Sequence, residues 1–393
     1  MGAGEVRDGW IRIKIKEDAA PLRAGVFTRG AMESGNEDMD RIAAELGATE
    51  VRRVFSDGGR FAERRRRYGL HLWYDVRFDE SVPVSRAADR FATIDGVEYI
   101  EPVYVIKSTD ADAVYVPDNV IYTPSVAVTR TEMPFNDPML SQQWHYNNEG
   151  ENGFTAGADI NLFEAWKVET GKPNVIVSVH DQGIVLDHED LAAHIWVNEA
   201  EMNGAEGVDD DGNGYKDDIH GWNYINNSPD IIPEGHGTHV AGTISAVNNN
   251  GIGVCGVAGG TGNGDGARIM SMQIFEGDES VGDTNAECFV YAADNGAVIS
   301  QNSWTLGVTG KLPYSYEQAF TYFNENAGMD DTDGDGVNDV QTGPMAGGII
   351  IFAAGNAGGF SQIFPQNSSV LLSGKGSSCT EQQQGDRQRQ RRK

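Results

Sequence analysis

The stretch Val175-Ile-Val-Ser-Val-His180-Asp181-Gln-Gly183 is a short apolar run that ends in an acidic residue and a glycine turn. Val298-Ile299 and Ile349-Ile-Ile-Phe-Ala-Ala354 are further continuous apolar runs, and helical stretches and glycine-rich turns separate the three. Strands that are apolar on both sides, rather than alternating, belong to a parallel sheet covered by helices on each face. In an open sheet of that kind, reactive groups collect at the carboxyl ends of the strands. Asp181 stands at one such end. Taken alone it reads as a strand-end cap on a turn.

Two further segments change that reading. Gly235-His236-Gly237-Thr238-His239-Val240-Ala241-Gly242-Thr243-Ile244 sets a histidine between glycines and continues with small and apolar residues, which suits a helix packed deep against a sheet. Zinc is a poor explanation for His236 and His239, because the metalloprotease pattern needs histidines at i and i+4 with a glutamate between them. After the strand at 349–354 comes Gly355-Asn356-Ala-Gly358, so an amide side chain sits at the strand exit. There it could donate to a developing oxyanion, a role worth roughly 3–4 kcal/mol of barrier.

Asp-x-Gly, then His-Gly-Thr-His-Val-Ala-Gly-Thr, then Ala-Ala-Gly-Asn resembles the subtilisin-like serine peptidases, in matching order and over roughly residues 136 to 365. The resemblance implies that Asp181 orients His236, that His236 is the general base and later the acid, and that Asn356 holds the tetrahedral oxyanion. It also implies that Ser300, Asn302, Ser303 and Trp304 lie on the edge strand that pairs with substrate backbone. Thr305 replaces the glycine often found after Asn-Ser-Trp, which leaves the primary specificity pocket open.

The first hundred residues read as a separate domain. Ile11, Ile13 and Ile15 alternate with Arg12, Lys14 and Lys16, a half-buried strand. Met39, Ile42, Ala43 and Leu46 have helical spacing and Gly47 is a stop. Strands are expected at 51–55, 70–78 and 97–106, with a second helix through Val84, Ala87, Ala88 and Phe91. Arg64 to Arg67 is a charge run, read as a solvated hairpin tip. The order βαββαβ is that of a ferredoxin-like α+β domain. It resembles the family's propeptide, with Gly96-Val-Glu-Tyr-Ile-Glu-Pro102 its most recognisable part, and the resemblance implies a folding assistant that occupies the cleft. The expected division is a prodomain at 1–107, a linker at 108–135, a partial catalytic domain at 136–373 and a basic tail at 374–393.

The family's nucleophile comes from Gly-Thr-Ser-Met-Ala, and no Thr-Ser dipeptide occurs in the 393 residues. Gly376-Ser377-Ser378-Cys379-Thr380 is the nearest mimic, but polar residues then replace those a buried helix needs. In subtilisin itself, loss of the serine lowers turnover about 10⁶-fold. The expectation is a sheet incomplete at its C-terminus, cut by truncation or a reading-frame change, and a chain incompetent as a peptidase. The rival readings are a calcium-dependent peptide-binding protein and a non-functional gene fragment.

Two acidic loops point to hard cations. Asp209, Asp211, Asn213, Tyr215 and Asp217 put oxygen at alternate positions around glycines, as Ca²⁺ requires, although His220 stands where an EF-hand would close with glutamate. Asp331, Asp333, Asp335 and Asp339 make a second such loop. Against these, 262–267 mimics a dinucleotide fingerprint but precedes a strand instead of following one.

With 59 Asp+Glu against 30 Lys+Arg, the net charge of −29 argues against a nucleic-acid partner. No apolar run approaches ~18 residues, so no membrane span is expected. Residues 1–8 have no basic-then-apolar leader, although the family resemblance implies an extracellular or cell-envelope location. Cys255, Cys288 and Cys379 give neither a disulfide framework nor zinc spacing.

Overall fold

The computed structural model describes residues 5–27, 33–108, 132–150, 154–277, 285–306 and 312–353. Asn356, Ser378, the tail at 374–393 and most of the expected linker lie outside them.

The first unit is an antiparallel sheet of β1 (Val6–Ile15), β2 (Gly25–Val26), β3 (Glu50–Arg53), β4 (Trp73–Arg77) and β5 (Val97–Tyr104), in the order β2-β3-β4-β1-β5. Helices α1 (Glu37–Leu46) and α3 (Val84–Phe91) cover one face. Helix α1 begins where the Asn36 side chain accepts from the Met39 amide (3.0 Å) and ends at Gly47, whose φ of 66° is left-handed. It buries Met39, Ile42, Ala43 and Leu46, the residues its periodicity picked out. Without the short β2, the strand order is that of the ferredoxin-like fold.

Three local expectations fail here. Residues 70–72 form a 3₁₀ turn, and the strand expected from Leu70 starts only at Trp73. On β1, Arg12 and Lys14 are buried along with the isoleucines opposite them, because the sheet's second face is also covered. Arg12 forks onto Asp75 (2.8 and 3.0 Å) and also donates to Ser315 Oγ (3.0 Å), more than 300 residues away. The third failure is the arginine run. Residues 62–67 form helix α2, and Arg64 and Arg65 are 0% and 2% exposed, ion-paired to acids of the second unit.

The second unit carries a parallel sheet in the order β14-β10-β7-β9-β8, from β7 (Ile176–Asp181), β8 (Gly221–Asn223), β9 (Arg268–Gln273), β10 (Ile299–Asn302) and β14 (Ile349–Phe352). Val177, Val179 and Ile269 face helix α6 (Gly235–Ser245). Met270, Met272, Ile350 and Phe352 face α7 (Glu287–Asp294) and α8 (Tyr314–Asn326) on the other side. Both faces are therefore apolar, as the unbroken runs required. Short α4 (Leu162–Ala165) precedes β7, and short α5 (Glu199–Met202) follows it before β8.

Small ribbons complete the structure: β6 (Lys107–Ser108) with β11 (Trp304–Thr305), and β12 (Met329–Asp330) with β13 (Val340–Gln341). The first unit rests on α8. Glu101 accepts from the Tyr314 amide (2.7 Å) and from Ser315 Oγ, placing a carboxylate at the positive end of that helix. Burial raises the Glu101 pKa, against the pull of Arg12.

Candidate active site

Asp181 is the last residue of β7, and His236 is the second residue of α6. The Nδ1–H of His236 donates to Asp181 Oδ1 at 2.6 Å, and the same oxygen accepts from the Gln182 amide at 2.7 Å. Asp181 Oδ2 is buried and has no hydrogen-bond partner among the described residues. His236 is held from behind as well, because its amide donates to Gln182 Oε1 (2.9 Å) and the Gln182 amide group donates to Gly277 O (2.8 Å). The glycine after it is dictated by distance. A Cβ at Gly237 would lie 2.2 Å from Gln182 O, so only glycine lets α6 approach the strand end this closely.

Chemically, a carboxylate on Nδ1 fixes the tautomer and leaves Nε2 as the basic nitrogen. The imidazole is 22% exposed and Asp181 is 2%, so the carboxylate is shielded while the ring reaches solvent. His180, one residue earlier, points to the opposite face. It is fully buried against Phe289, with Cys288 Sγ 3.0 Å from its Nδ1 and Ser178 Oγ 2.9 Å from its Nε2. Burial pushes its pKa down to about 3, so it is neutral and takes no part in acid–base chemistry at neutral pH. His239 acts instead on His145, whose pKa is lowered by burial together with His239.

The four residues expected to line the substrate separate into two groups. Ser300 and Asn302 are buried inside β10, which pairs on both sides, with β7 and with β14. Asn302 donates to Ser300 Oγ (2.9 Å), and its carbonyl oxygen accepts from Trp304 Nε1 (3.0 Å). Ser303 follows, and Trp304 and Thr305 pair antiparallel with Ser108 and Lys107. The chain's own segment after β5 is thus the extended strand lying on this edge. The sequence puts the boundary between prodomain and linker at 107/108 and shows no strand there, because two residues carry no periodicity.

The acidic loops also differ from their expected ligand sets. In the first, carboxylate oxygens of Glu201, Asp209 and Asp211 lie within 4.8 Å of one another. Glu201 was missed; it stands on α5, eight residues before the loop, and no spacing rule points to it. It accepts from the amides of Asp210 (2.6 Å), Asp211 (3.1 Å) and Asp217 (2.8 Å). Asn213 turns its amide nitrogen to Asp211 and Asp218, Tyr215 sends its hydroxyl to Glu287, and Asp217 accepts from the Gly207 amide. Buried Asp218 has its pKa pushed up to about 6 by desolvation, with Asp211 and Glu201 adding to it. In the second loop Asp331, Asp333 and Asp335 converge, while Asp339 closes the turn on Thr332. Both sets are hard oxygen donors packed close together, the chemistry that suits Ca²⁺.

Comparison with known proteins agrees with this geometry. Residues 172–381 match the Subtilase family, more than half of the chain, and residues 27–150 match the N-terminal region of the same family. "Subtilisin-like protease 1" of Plasmodium berghei is 53% identical over 128 residues, 31% of this chain and 19% of that protein. Its Plasmodium vivax counterpart is 44% identical over 126 residues, 32% and 19% respectively. "Halolysin-like extracellular serine protease Nep" of Natrialba magadii is 31% identical over 185 residues, 46% and 28%. The chain thus spans about a fifth to a quarter of the length of these relatives. Among solved structures, fervidolysin of Fervidobacterium pennivorans, a keratinolytic enzyme related to subtilisin, superposes with a TM-score of 0.54 at 20% identity, over 93% of this chain and 42% of its own. At that identity the likeness speaks for the fold alone. With a parallel sheet whose strand end meets a Gly-His-Gly helix, and with an N-terminal unit of the propeptide type, this chain belongs to the subtilase family of serine proteases.

Proposed function

We propose that these 393 residues carry the acid–base half of a subtilisin-type endopeptidase together with its inhibitory prodomain. Asp181 orients and stabilises the imidazolium, and His236 is the general base and then the acid toward the leaving amine. Asn356 donates to the oxyanion. Substrate backbone lies along Trp304 and Thr305, with Ser303 beside it and Ser300 and Asn302 bracing the tryptophan from within the sheet. In the precursor, β6 holds that edge. The division into a prodomain at 1–107, a linker at 108–135 and a catalytic part at 136–373 goes with this reading.

The observation that carries it is the 2.6 Å contact between two side chains 55 residues apart, at the end of a parallel strand. These 393 residues contain no Gly-Thr-Ser-Met-Ala, so on this reading the stretch on its own does not hydrolyse peptides. A fluorophosphonate probe tests that: no serine should be labelled, and labelling at Ser378 or at any other serine overturns it.

Ca²⁺ is the structural cation we assign to the two acidic loops. Glu201, Asp209 and Asp211 would hold it in the first, and Asp331, Asp333 and Asp335 in the second. A bound cation there neutralises converging carboxylates and stiffens each loop. Release outside the cell is proposed too, by analogy with the extracellular relative. No helix among the described residues is long and apolar enough to cross a membrane.

A further inference from the structure

Helix α2 reads Ala62-Glu-Arg-Arg-Arg-Arg67, and its two middle guanidinium groups leave water altogether. Arg64 Nη2 donates to Asp294 Oδ1 (2.6 Å), its Nε to Tyr322 Oη (2.9 Å), and its Nη1 to Asn338 Oδ1 (2.9 Å) and Met329 O (3.1 Å). Arg65 Nε donates to Asp294 Oδ2 (2.8 Å), and its Nη1 to Glu287 Oε1 (2.7 Å) and Ser56 Oγ (2.6 Å). Each oxygen of Asp294 therefore meets a different arginine. Tyr322 and Tyr215 add hydroxyl donors to Asp294 and Glu287.

Glu287 and Asp294 are seven residues apart on α7, two helical turns, so they share one face. Both are buried, and the only cations at ion-pair distance among the described residues are Arg64 and Arg65. The second unit's own contribution is phenol hydroxyls, which donate but do not neutralise. A buried carboxylate without a counter-charge is strongly unfavourable. Two negative charges on α7 are thus matched by two positive charges that the other unit brings.

We infer that Glu287 and Asp294 form a receptor for a pair of adjacent arginines, through which the catalytic unit recognises its own prodomain. The partner that fits is a short helix with consecutive guanidinium groups, and lysine cannot replace them because it lacks the planar fork. This surface is separate from the β6–β11 ribbon and from the Glu101 cap on α8. The inference rests on reading the N-terminal unit as a prodomain, and its test requires no catalysis, so it can fail while the peptidase reading stands, and the reverse.

Hydrogen–deuterium exchange on the full chain provides the test. In Arg64→Met/Arg65→Met, amide protection in α2 and α7 should fall tenfold or more, while β1 and β9, inside each unit, keep theirs. Arg64→Lys/Arg65→Lys should lose protection at the same two helices. Adding Glu287→Gln/Asp294→Asn to the methionine pair should recover at least threefold, since no charge is then left unmatched. Unchanged α2 and α7 in the methionine pair, or no recovery in the fourfold variant, overturns the proposal. If the methionine pair unfolds both units, Glu287→Gln/Asp294→Asn alone is read instead. It should lose protection at α2 tenfold with β1 intact, and retained protection there overturns the proposal.

Discussion

Asp181 and Asp294 are both buried carboxylates that meet a nitrogen base from a distant part of the chain, yet they differ in how they are served. Asp181 holds one imidazole, has one oxygen without a partner among the described residues, and borders solvent through His236. Asp294 has both oxygens taken by arginines and lies in a recess closed by Tyr322. A carboxylate with spare capacity beside a partly exposed imidazole is arranged to let a charge come and go. One saturated by permanently charged groups is arranged to hold two units together. Burial alone therefore does not separate a carboxylate placed beside a titratable base from one that ties two units together. The distinction lies in whether the partner can change protonation state.

The largest effect expected from this contrast is at Asp294. Replacing it with alanine leaves Arg64 without a carboxylate and Arg65 with Glu287 alone, so Asp294→Ala should lose about 3–5 kcal/mol in a denaturant titration. Asp181→Ala removes a single, partly solvated pairing and should lose less. Equal losses would break the comparison.

Calcium comes next. If it is held by Glu201, Asp209 and Asp211, a concentration ~100-fold above its dissociation constant adds about 2.7 kcal/mol. The thermal midpoint should rise with CaCl₂ and fall with EDTA. Asp209→Asn should remove most of the response. Asp331→Asn should remove less, because its loop lies in the open and water already solvates those carboxylates. No shift with calcium in the parent chain would remove the cation from the account.

The smallest effect separates His180 from His236. The pKa of His180 when folded, about 3, lies below its ordinary value of 6.5, so the unfolded chain binds the proton more readily. Its contribution to stability is complete above pH 6.5 and is lost as the pH falls toward 3. The slope is at most about 1.4 kcal/mol per pH unit. Stability measured from pH 7 to pH 5 should therefore decline, and His180→Gln should flatten that decline. An unchanged acid limb would move the effect to another group.

Much of the fold was legible because its signals are local. Met39, Ile42, Ala43 and Leu46 announce α1 within ten residues, and the unbroken apolar runs announce a sheet buried on both faces. Asp181 and His236 stood out because a strand-end acid and a histidine followed by glycine are local signals, and the close approach of α6 needs that glycine at 237. Other features depend on what a residue meets far along the chain. Arg12 and Lys14 look like the wet face of a strand until α8 covers them. Arg64 and Arg65 look like a solvated run until α7 supplies two acids, more than 220 residues away. Glu201 joins Asp209 and Asp211 only because α5 lies beside the loop. None of these has a periodicity or spacing of its own. Asn356 lies outside the described residues, so its role rests on sequence alone.

The hydrogen bond between Asp181 and His236 is the contact that the proposed chemistry needs first, and nitrogen-15 NMR of histidine-labelled protein reads it directly. The Nδ1 proton of His236 should give a far-downfield resonance protected from exchange, present in the parent chain and absent in Asp181→Ala. A spectrum without that resonance, or one in which it survives the substitution, would contradict the assignment of these two residues as a working pair.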